Sequence, residues 1–277
     1  MNKLVSVIVP MYNAAETISQ TIESVLCQSY KHFELILIND GSTDNTLQEI
    51  GRLSDSRIKV ISQQNQGVAI ARNSGIEISS GDYIAFLDAD DLWDANKLNQ
   101  SVTFLEKYEY DLIYTDIWMF NEKIENAIPY KYSEPFLVED DYQRLLIFDY
   151  IPTLTVLLKK EVLRVTGFFD SFLNGTEDWD LWIRIANEFK IGYLDQRLSY
   201  YRNSENGLSK NRDRHLQEER KVLDKHQLTS NVKSQSEWVW NRKNFHNEIQ
   251  QRRFLKATKF YIRMLFLFPF KQENYRF

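Results

Sequence analysis

Short runs of Val, Ile and Leu alternate with helical patterns through the first half of the chain, and this alternation constrains its fold most strongly. The strand-like runs are VSVIVP, FELILIND, IKVIS and YIAFLD. Between the first two runs, Ile18, Ile22 and Val25 have helical spacing. Repeated strand and helix units predict an α/β protein with a mostly parallel central sheet flanked by helices. The apolar runs have the composition of strands that are buried on both faces.

The second half continues the strand pattern and then changes character. Strand-like runs recur in DLIYTDIWMF, TLTVLLK and YLDQRLSYYR, and a helix is predicted to open at Gly175. Residues 121–149 are polar, aromatic and irregular, so we predict a long loop with one helix near Tyr142 to Phe148. Residues 210–277 follow as a predicted helical appendage.

The charge and cysteine content limit the class of protein. The formal net charge over 277 residues is -5, yet the segment from Arg242 onward is basic. An acidic body without a nucleic-acid fold motif argues against nucleic acid as a partner. The single cysteine, Cys27, cannot form an internal disulfide and is predicted to be a small core residue in a reducing compartment. The first apolar run stops at Pro10 and is too short for a signal peptide, so we expect a cytoplasmic protein.

Residues 252–268 are predicted to form a basic amphipathic helix. On a helical wheel, one side carries Arg252, Lys256, Lys259 and Arg263, and the other side carries Phe254, Thr258, Tyr261, Leu265 and Phe268. Such a helix can lie on an anionic membrane surface. It can equally pack its aromatic side on the body of the protein, and the sequence favours neither interpretation.

Three polar clusters stand where predicted strands end. They are PMYNAAET, NDGSTDNT and DADD. Each has an ordinary interpretation as a turn or a helix start, but the carboxyl ends of strands in an open α/β sheet also form ligand sites. The carboxylates of Asp88, Asp90 and Asp91 would repel one another without a cation. Mg²⁺ and Mn²⁺ bind such oxygens and leave positions for phosphates. Asp91 is predicted to cap the next helix.

The stretch NGTEDWDLWIRIANEF places three carboxylates at the start of a predicted helix. Asp180 is predicted to lie on a solvated face, because Arg184 follows it at i+4. Asn174 and Glu177 have the spacing of a capping box. Asp178 shares the apolar side of the helix, so we predict that it points inward and is paired, bound to backbone N–H groups at the helix N-terminus, or exposed to a cavity.

Together these motifs resemble glycosyltransferase family two, the inverting enzymes of the GT-A, Rossmann-like nucleotide-diphospho-sugar transferase fold. The resemblance is carried, in order, by SVIVPMYNAAETISQTIESVLCQSYKHFELILINDGSTDNT, NQGVAIARNSGI, GDYIAFLDADDLW and GTEDWDLWIRIA. It covers about Val5 to Ser209 and implies a nucleotide-sugar donor, usually a UDP-sugar, and a divalent cation, Mn²⁺ or Mg²⁺. It also implies a saccharide or lipid-linked saccharide acceptor in surface polysaccharide synthesis, at the inner face of the cell membrane.

The resemblance assigns donor-binding roles to the three polar clusters. It places Pro10, Tyr12 and Asn13 around the nucleotide. Asp40 would accept the imide N–H of uracil, and Arg72 would lie near the base and the diphosphate. Asp88 and Asp90 match the Asp-x-Asp of the family, with Asp90 as the direct metal ligand and Asp88 reaching the ribose or the metal.

The Glu-Asp motif of the family assigns Asp178 as the catalytic base. An acceptor hydroxyl would lose its proton to Asp178 and attack the anomeric carbon of the donor, with inversion. Many family members have a histidine two residues after the position of Arg202, where this chain has Ser204, and Ser209 fits the later part of the pattern. The missing histidine predicts weaker metal binding.

We predict that residues 1–209 form the catalytic domain, with a nucleotide-sugar half, 1–90, and an acceptor half, 91–209. Residues 210–277 form the helical, basic appendage. These divisions follow the extent of the resemblance.

Two other functions stay open. A nucleotidyltransferase of the same fold would be expected to carry a Gly-rich loop with a lysine near the N-terminus, and PMYNAAET has neither residue. A non-catalytic scaffold that keeps the nucleotide pocket would not need intact Asp88, Asp90 and Asp178.

Overall fold

The computed structural model describes residues 3–130, 140–204 and 211–267, and the chain folds into two compact units. Unit 1 comprises Met1–Lys131 and Ile151–Glu205, and unit 2 comprises Tyr132–Tyr150 and Asn206–Phe277. The predicted boundary at Ser209 lies outside the described residues. Most of the predicted loop 121–149, from residue 132 onward, therefore groups with the C-terminal segment and not with the predicted acceptor half.

Unit 1 is built on one mixed β-sheet. Within the described residues its strands are β1 (Val5–Met11), β2 (Phe33–Asp40), β3 (Ile58–Gln63), β4 (Tyr83–Phe86), β5 (Leu92–Trp93), β6 (Leu112–Phe120), β7 (Ile128–Pro129), β8 (Leu157–Lys159) and β9 (Ile191–Arg202). They lie in the order β3-β2-β1-β4-β8-β6-β9-β5, with β7 beside β6. The neighbours from β3 to β4 are parallel, as are β6 and β9. The shorter β5, β7 and β8 pair antiparallel with their neighbours. The predicted α/β fold with a central sheet flanked by helices is confirmed; the sheet is mixed, and its parallel pairs are the longer ones.

Helices of unit 1 connect the strands of the sheet, and further helices form unit 2. In chain order they are α1 (Ile18–Leu26), α2 (Thr46–Ile50), α3 (Val68–Ile78), α4 (Lys97–Tyr108), α5 (Asp141–Leu145), α6 (Val162–Thr166), α7 (Glu177–Glu188), α8 (Arg212–Lys225), α9 (Ser230–Gln250) and α10 (Phe254–Leu267). Among the residues that the structure describes, 3₁₀ turns occupy Ile124–Asn126 and Thr153–Thr155. Helices α5, α8, α9 and α10 belong to unit 2, and the others belong to unit 1.

The central parallel strands β1, β2 and β4 are covered on both faces, whereas β3 at the edge of the sheet is mostly exposed, although its apolar run predicted burial on both faces. Every residue of β1 and β2 is buried, as their apolar composition predicts. Helix α3 packs closely on β1, since a Cβ atom on Gly75 would lie 2.5 Å from Cγ2 of Ile8. Val5 of β1 is paired with Phe33 of β2 and Tyr83 of β4. The shared register brings the carboxyl ends of the three strands to the same edge of the sheet.

Unit 2 contains the predicted C-terminal helices. Helix α8 is joined to α9 by the ion pair between Arg220 and Glu237, at 2.6 Å, and by the Trp240 indole N–H, which donates to the carbonyl oxygen of Leu216. Helix α10 returns along α9, and the ring of Phe260 lies 6.0 Å from that of Trp240. The predicted helical appendage is therefore present. Within the described parts of both units, no helix combines the length and the apolar character needed to cross a membrane.

Two local predictions need correction. Cys27 is exposed at the end of α1, not part of the core, because the helix buries the side that carries Ile22 and Val25. The helix predicted near Tyr142 to Phe148 exists as the five-residue α5, whose first turn is capped by the Asp140 carboxylate accepting from the backbone N–H of Gln143.

Candidate active site

The loops after β1 and β2 are joined by Asn13. This residue has a positive φ of 51°, a backbone conformation that asparagine tolerates better than most residues. Its side-chain oxygen accepts the backbone N–H of Thr43 at 2.8 Å, and its own N–H donates to the hydroxyl of Ser42. The neighbouring Tyr12 is 52% exposed, whereas Pro10 is buried within β1. Among the predicted nucleotide-binding residues of the first cluster, Tyr12 therefore has an exposed aromatic ring, and Asn13 holds the adjoining loop by hydrogen bonds.

Asp40 ends β2 and is buried. Its Oδ1 accepts from the side chain of Gln63 and the backbone N–H of Gln66, and its Oδ2 accepts the backbone N–H of Gly67 at 2.8 Å. Gly67 has a φ of 93°, which directs its N–H to the carboxylate just before α3 begins. A carboxylate oxygen accepts about two hydrogen bonds. Oδ2, with one N–H donor from the described residues, is the oxygen with room for a ligand.

The third cluster follows β4 and holds its carboxylates in different environments. Asp88 and Asp90 are half-buried, and Asp91 is buried. Burial and the neighbouring carboxylate of Asp88 raise the pKa of Asp90 to about 6. Burial and the same acidic neighbours raise the pKa of Asp91 well above its usual range. Burial and the acidic neighbours thus both disfavour the charged forms of Asp90 and Asp91.

Asp91 does not cap a helix, contrary to the prediction. The chain after it forms β5, and α4 begins only at Lys97. Asp91 Oδ1 accepts the backbone N–H of Arg202 at 2.8 Å, and the Arg202 side chain donates to the carbonyl oxygen of Asp90. Antiparallel pairing of β5 with β9 brings these residues together. Asp91 therefore connects the Asp-x-Asp turn to the end of β9 by a hydrogen bond.

Arg72 connects the acidic turn to the start of α7. It is buried on α3, where one guanidinium nitrogen donates to Asp88 at 2.7 Å and another donates to Glu177 at 2.6 Å. Although burial disfavours a charge, the surrounding carboxylates, including the nearby Asp178, raise the pKa of Arg72. The guanidinium also lies 5.4 Å from the ring of Phe169. Arg72 is thus a fixed cation shared by residues from three parts of the chain.

The first turn of α7 differs from the prediction at two of its carboxylates. Thr176, not Asn174, precedes the helix as its N-cap. Glu177 is buried, bonds to Arg72 and accepts the backbone N–H of Gly175 with its other oxygen. Burial raises the pKa of Glu177, and Arg72 opposes this shift. The capping-box prediction is therefore wrong, because a distant arginine has drawn Glu177 inward.

Asp180 forms the expected i+4 ion pair with Arg184, at 3.0 Å, but the carboxylate is fully buried. The predicted solvated face is wrong, because α7 is covered on most of its circumference. Arg184 keeps a share of solvent exposure and donates also to the carbonyl oxygens of Thr166 and Phe168. The pair ties α7 to the end of α6 and the loop after it.

Asp178 is the least buried of the three carboxylates on this turn. Its Oδ1 accepts the backbone N–H of Trp179, and its Oδ2 accepts the hydroxyl of Thr153 at 2.5 Å. Each oxygen keeps room for a second donor. A half-buried carboxylate held in this way, next to the Arg72 ion pairs, can accept a proton from a bound hydroxyl group.

Thr153 is a site residue that the sequence did not indicate. It lies in the 3₁₀ turn Thr153–Thr155, within a run that resembles an ordinary strand. Two side chains from other elements hold this turn by hydrogen bonds. The indole N–H of Trp93 and the hydroxyl of Ser199 both donate to the carbonyl oxygen of Leu154. No local pattern distinguishes a threonine that supports a carboxylate from one that fills a strand.

The acidic turn has the chemistry that a divalent cation requires. Burial and the carboxylate of Asp88 raise the pKa of the half-buried Asp90, and a bound cation would offset both effects. In the described parts of the chain, no group of three or more His, Cys, Asp or Glu side chains forms a metal site. Ser204 lies two residues after Arg202 and adds no strong ligand. This donor set suits Mg²⁺ or Mn²⁺, which keep positions for phosphate oxygens and water.

Comparison with known proteins gives consistent similarities. A family model described as Glycosyl transferase family 2 matches residues 6–164. The chain is 37% identical over 223 residues to the UDP-Glc:alpha-D-GlcNAc-diphosphoundecaprenol beta-1,3-glucosyltransferase WfgD of Escherichia coli, covering 79% of this chain and 85% of the relative. The similarity therefore spans most of both proteins.

Two solved structures have the same fold at low sequence identity. S. aureus TarS 1-349 has a TM-score of 0.70 and 19% identity, over 94% of this chain and 78% of the other. The mannosyltransferase PcManGT from Pyrobaculum calidifontis, in complex with GDP-Man and Mn2+, has a TM-score of 0.65 and 18% identity, over 89% and 75%. At these identities the likeness concerns the fold alone.

Proposed function

The chain belongs to glycosyltransferase family 2, and we propose that it transfers a sugar from a UDP-sugar to a hydroxyl of a saccharide or lipid-linked saccharide, with inversion. The observation that supports this most directly is the environment of Asp178. Its carboxylate is half-buried at the start of α7, held by Thr153 and close to the ion pair of Arg72 with Asp88. The carboxyl end of β4, where the acidic turn begins, shares one edge of the sheet with the ends of β1 and β2, and Arg72 links this turn to the helix turn that carries Asp178.

In the proposed reaction, Asp178 acts as the general base. A hydroxyl of the acceptor donates its proton to a carboxylate oxygen of Asp178, and the hydroxyl oxygen forms a bond to the anomeric carbon of the donor. The bond from that carbon to the diphosphate breaks, and UDP leaves with the electron pair. A single displacement inverts the anomeric configuration. The hydrogen bond from Thr153 orients the carboxylate before the proton moves.

The donor would be held by residues at the ends of the parallel strands. Asp40 would accept the uracil imide N–H at Oδ2, and the exposed ring of Tyr12 would cover the base. Pro10 and Asn13 would shape the loop around the nucleotide. Arg72 would act mainly by fixing Asp88 and Glu177, because both of its terminal nitrogens already donate to those carboxylates.

Asp90 and Asp88 would hold a divalent cation, Mn²⁺ or Mg²⁺. When bound, the cation would stabilise the charge of the diphosphate as a Lewis acid. With Ser204 in place of a histidine, the protein would supply few ligands, so the cation and the nucleotide are expected to bind together.

The acceptor proposal follows the relative whose name describes one. WfgD is named for transfer from UDP-Glc to an α-D-GlcNAc-diphosphoundecaprenol, and the chain covers most of that protein. A sugar linked through a diphosphate to a lipid is therefore the proposed acceptor class. Family membership disfavours the nucleotidyltransferase, and the geometry around Asp178 disfavours a scaffold without activity.

The test combines turnover with donor binding. Asp178→Asn is expected to lower UDP release in the presence of acceptor by roughly two orders of magnitude or more, because the amide cannot take the proton. Binding of UDP with Mn²⁺, measured by titration calorimetry, is expected to stay unchanged. Near-normal turnover of this variant would refute the assignment of the base.

Two further variants complete the experiment. Asp90→Ala is expected to weaken Mn²⁺-dependent binding of UDP, and unchanged binding would refute the metal site. Asp195→Asn is a matched control, since Asp195 is an exposed aspartate on β9. Its turnover and its UDP binding are expected to equal those of the wild type.

A further inference from the structure

Helix α10 has a buried side that explains its attachment to unit 2. Ala257 and Met264, seven residues apart, are its buried residues, and Phe260 lies between them against Trp240 of α9. At the start of the helix, Arg253 forms ion pairs with Asp213 and Glu248. These contacts fix which side of α10 faces α9, and therefore which side faces outward.

The outward side is unusually apolar. Leu255 is 92% exposed, Phe266 is 81% exposed and Phe254 is 61% exposed. We define the α10 face as Phe254, Leu255, Tyr261, Ile262, Leu265 and Phe266, all of which are exposed. A contiguous set of exposed large apolar side chains on one helix marks an interaction surface rather than scattered surface residues.

Exposed cations border the α10 face on one side. They are Arg252, Lys256, Lys259 and Arg263. Within the described residues none of these four takes part in an ion pair, in contrast to the neighbouring Arg253. Helix α10 contains no acidic residue. The helix therefore divides into three sides, one packed on α9, one apolar and exposed, and one basic and exposed.

We propose that the α10 face docks on an anionic lipid surface, with its apolar side chains in the acyl boundary and its lysine and arginine side chains at the lipid headgroups. The charge pattern decides between occupants. A second copy of this chain would bring an equal set of cations against the first, whereas anionic headgroups neutralise them. Leu and Phe on one side with Lys and Arg beside them is the arrangement of helices that lie in the plane of a membrane interface.

The proposal goes beyond the transfer reaction and does not depend on which sugar is moved. It would place the protein at the surface where a lipid-linked acceptor resides. The UDP affinity of α10 variants is expected to be unchanged. Failure of vesicle binding would therefore leave the proposed function standing, and failure of the Asp178 test would leave the docking face standing.

The experiment measures co-sedimentation of the full chain with vesicles. Wild-type protein is expected to bind vesicles of equal parts phosphatidylcholine and phosphatidylglycerol, to bind phosphatidylcholine vesicles much more weakly, and to lose binding in about 1 M salt. The double variant Leu255→Ser/Phe266→Ser is expected to partition at least about tenfold less, because two large apolar side chains are lost from the interface. Lys256→Glu/Lys259→Glu is expected to lower binding to the anionic vesicles by a similar factor.

A matched control carries the same kind of change in unit 1. Ile128→Ser/Val165→Ser replaces two other exposed apolar residues and is expected to bind vesicles like the wild type. Far-ultraviolet circular dichroism and the melting temperature establish that every variant is folded. Absence of wild-type binding, or equal binding of the α10 variants and the wild type, would overturn the proposal. So would a wild-type dimer that Leu255→Ser/Phe266→Ser converts to a monomer without any change in vesicle binding.

Discussion

Glu177 and Asp178 are neighbours in the chain, but their side chains have different environments. Glu177 is buried and bonded to the guanidinium of Arg72, whereas Asp178 is half-buried and bonded to a hydroxyl group. Removing one partner of a buried ion pair leaves the other charge without compensation. We therefore expect substitution of Glu177 to affect mainly the stability of the fold and substitution of Asp178 to affect mainly catalysis.

Glu177→Gln is expected to lower the free energy of unfolding by about 2–3 kcal/mol, because Arg72 would keep only Asp88 as a charged partner. For a chain of this size the melting temperature should fall by about 5–10 °C. Asp178→Asn should leave the melting temperature nearly unchanged. Thermal unfolding followed by circular dichroism provides both values.

Glu188→Gln is the matched control for this comparison. It makes the same substitution on the same helix, at an exposed position, and should shift the melting temperature very little. If Glu177→Gln were as stable as this control, the ion pair with Arg72 would not contribute to the fold.

At the residue scale, the sequence identifies acids better than it predicts their environments. The inward orientation of Asp178 follows from helical spacing, but the burial of Glu177 depends on an arginine 105 positions away in the chain. The sequence predicts a helix cap at Asp91 because its actual partner, the backbone N–H of Arg202, lies 111 positions away in the chain. Local patterns contain no information about such partners.

The 3₁₀ turn Thr153–Thr155 is the element that supports Asp178. The carbonyl oxygen of Leu154 in this turn accepts from Trp93 and Ser199, and that of Val156, the residue after the turn, accepts from Lys97. Because three side chains from other elements hold the turn, the hydroxyl of Thr153 has a fixed position. A donor fixed in this way limits the orientations of the carboxylate that receives the bond.

We expect Thr153→Val to lower kcat about tenfold, since the carboxylate of Asp178 would lose its orienting hydrogen bond. KM for the donor should stay unchanged, because Thr153 acts as a positioning residue for the base. Thr153→Ser, which keeps the hydroxyl group, should restore most of the turnover. Steady-state kinetics with varied donor and acceptor measure both constants.

Thr155→Val is a control within the same turn. Thr155 is also buried, but its hydroxyl donates to the carbonyl oxygen of Pro152 and not to Asp178. Its kcat should exceed that of Thr153→Val. Equal losses in the two variants would mean that the turn matters only as packing.

The elements of the sheet were predictable to different degrees. Strands β1, β2 and β4 follow from apolar runs with helices between them, since strands buried on both faces leave a strong compositional signal. Strand β3 was found by the same apolar signal, but it lies exposed at the edge of the sheet, which its composition did not indicate. The two-residue β5 and β7 have no periodicity to detect. Their positions come from pairing with β9 and β6, which is a tertiary property.

At the scale of the whole molecule, the grouping of residues 132–150 with the C-terminal segment was not predictable. The sequence places them between a strand and a 3₁₀ turn of unit 1, so continuity suggested a loop of that unit. The sequence predicted only part of the α10 face. The helical wheel separated the basic residues from the aromatic ones, but it did not show which apolar side chains α9 covers.

Lys97 is a buried ionisable residue in unit 1, so its titration is coupled to folding. It is fully buried at the start of α4, with its ammonium group 3.2 Å from the carbonyl oxygen of Val156 and 4.1 Å from the centre of the Trp93 ring. In the described structure no carboxylate forms an ion pair with it. Burial lowers the pKa of Lys97 to about 7 from a usual value of 10.5. The folded state therefore binds this proton less tightly than the unfolded state does.

Between pH 7 and about 10 the unfolded chain holds a proton on Lys97 that the folded chain has lost. The free energy of unfolding should therefore rise with pH across this range, by up to about 1.4 kcal/mol per unit from this group, and should not change on its account below pH 7. Lys97→Met fills a similar volume without a charge and should remove this slope. Lys107→Met, at an exposed position on the same helix, makes the same change in net charge and should keep it. Guanidinium unfolding of the three proteins from pH 6 to pH 9 measures the slopes, and parallel slopes for the wild type and Lys97→Met would show that the buried lysine stays protonated throughout.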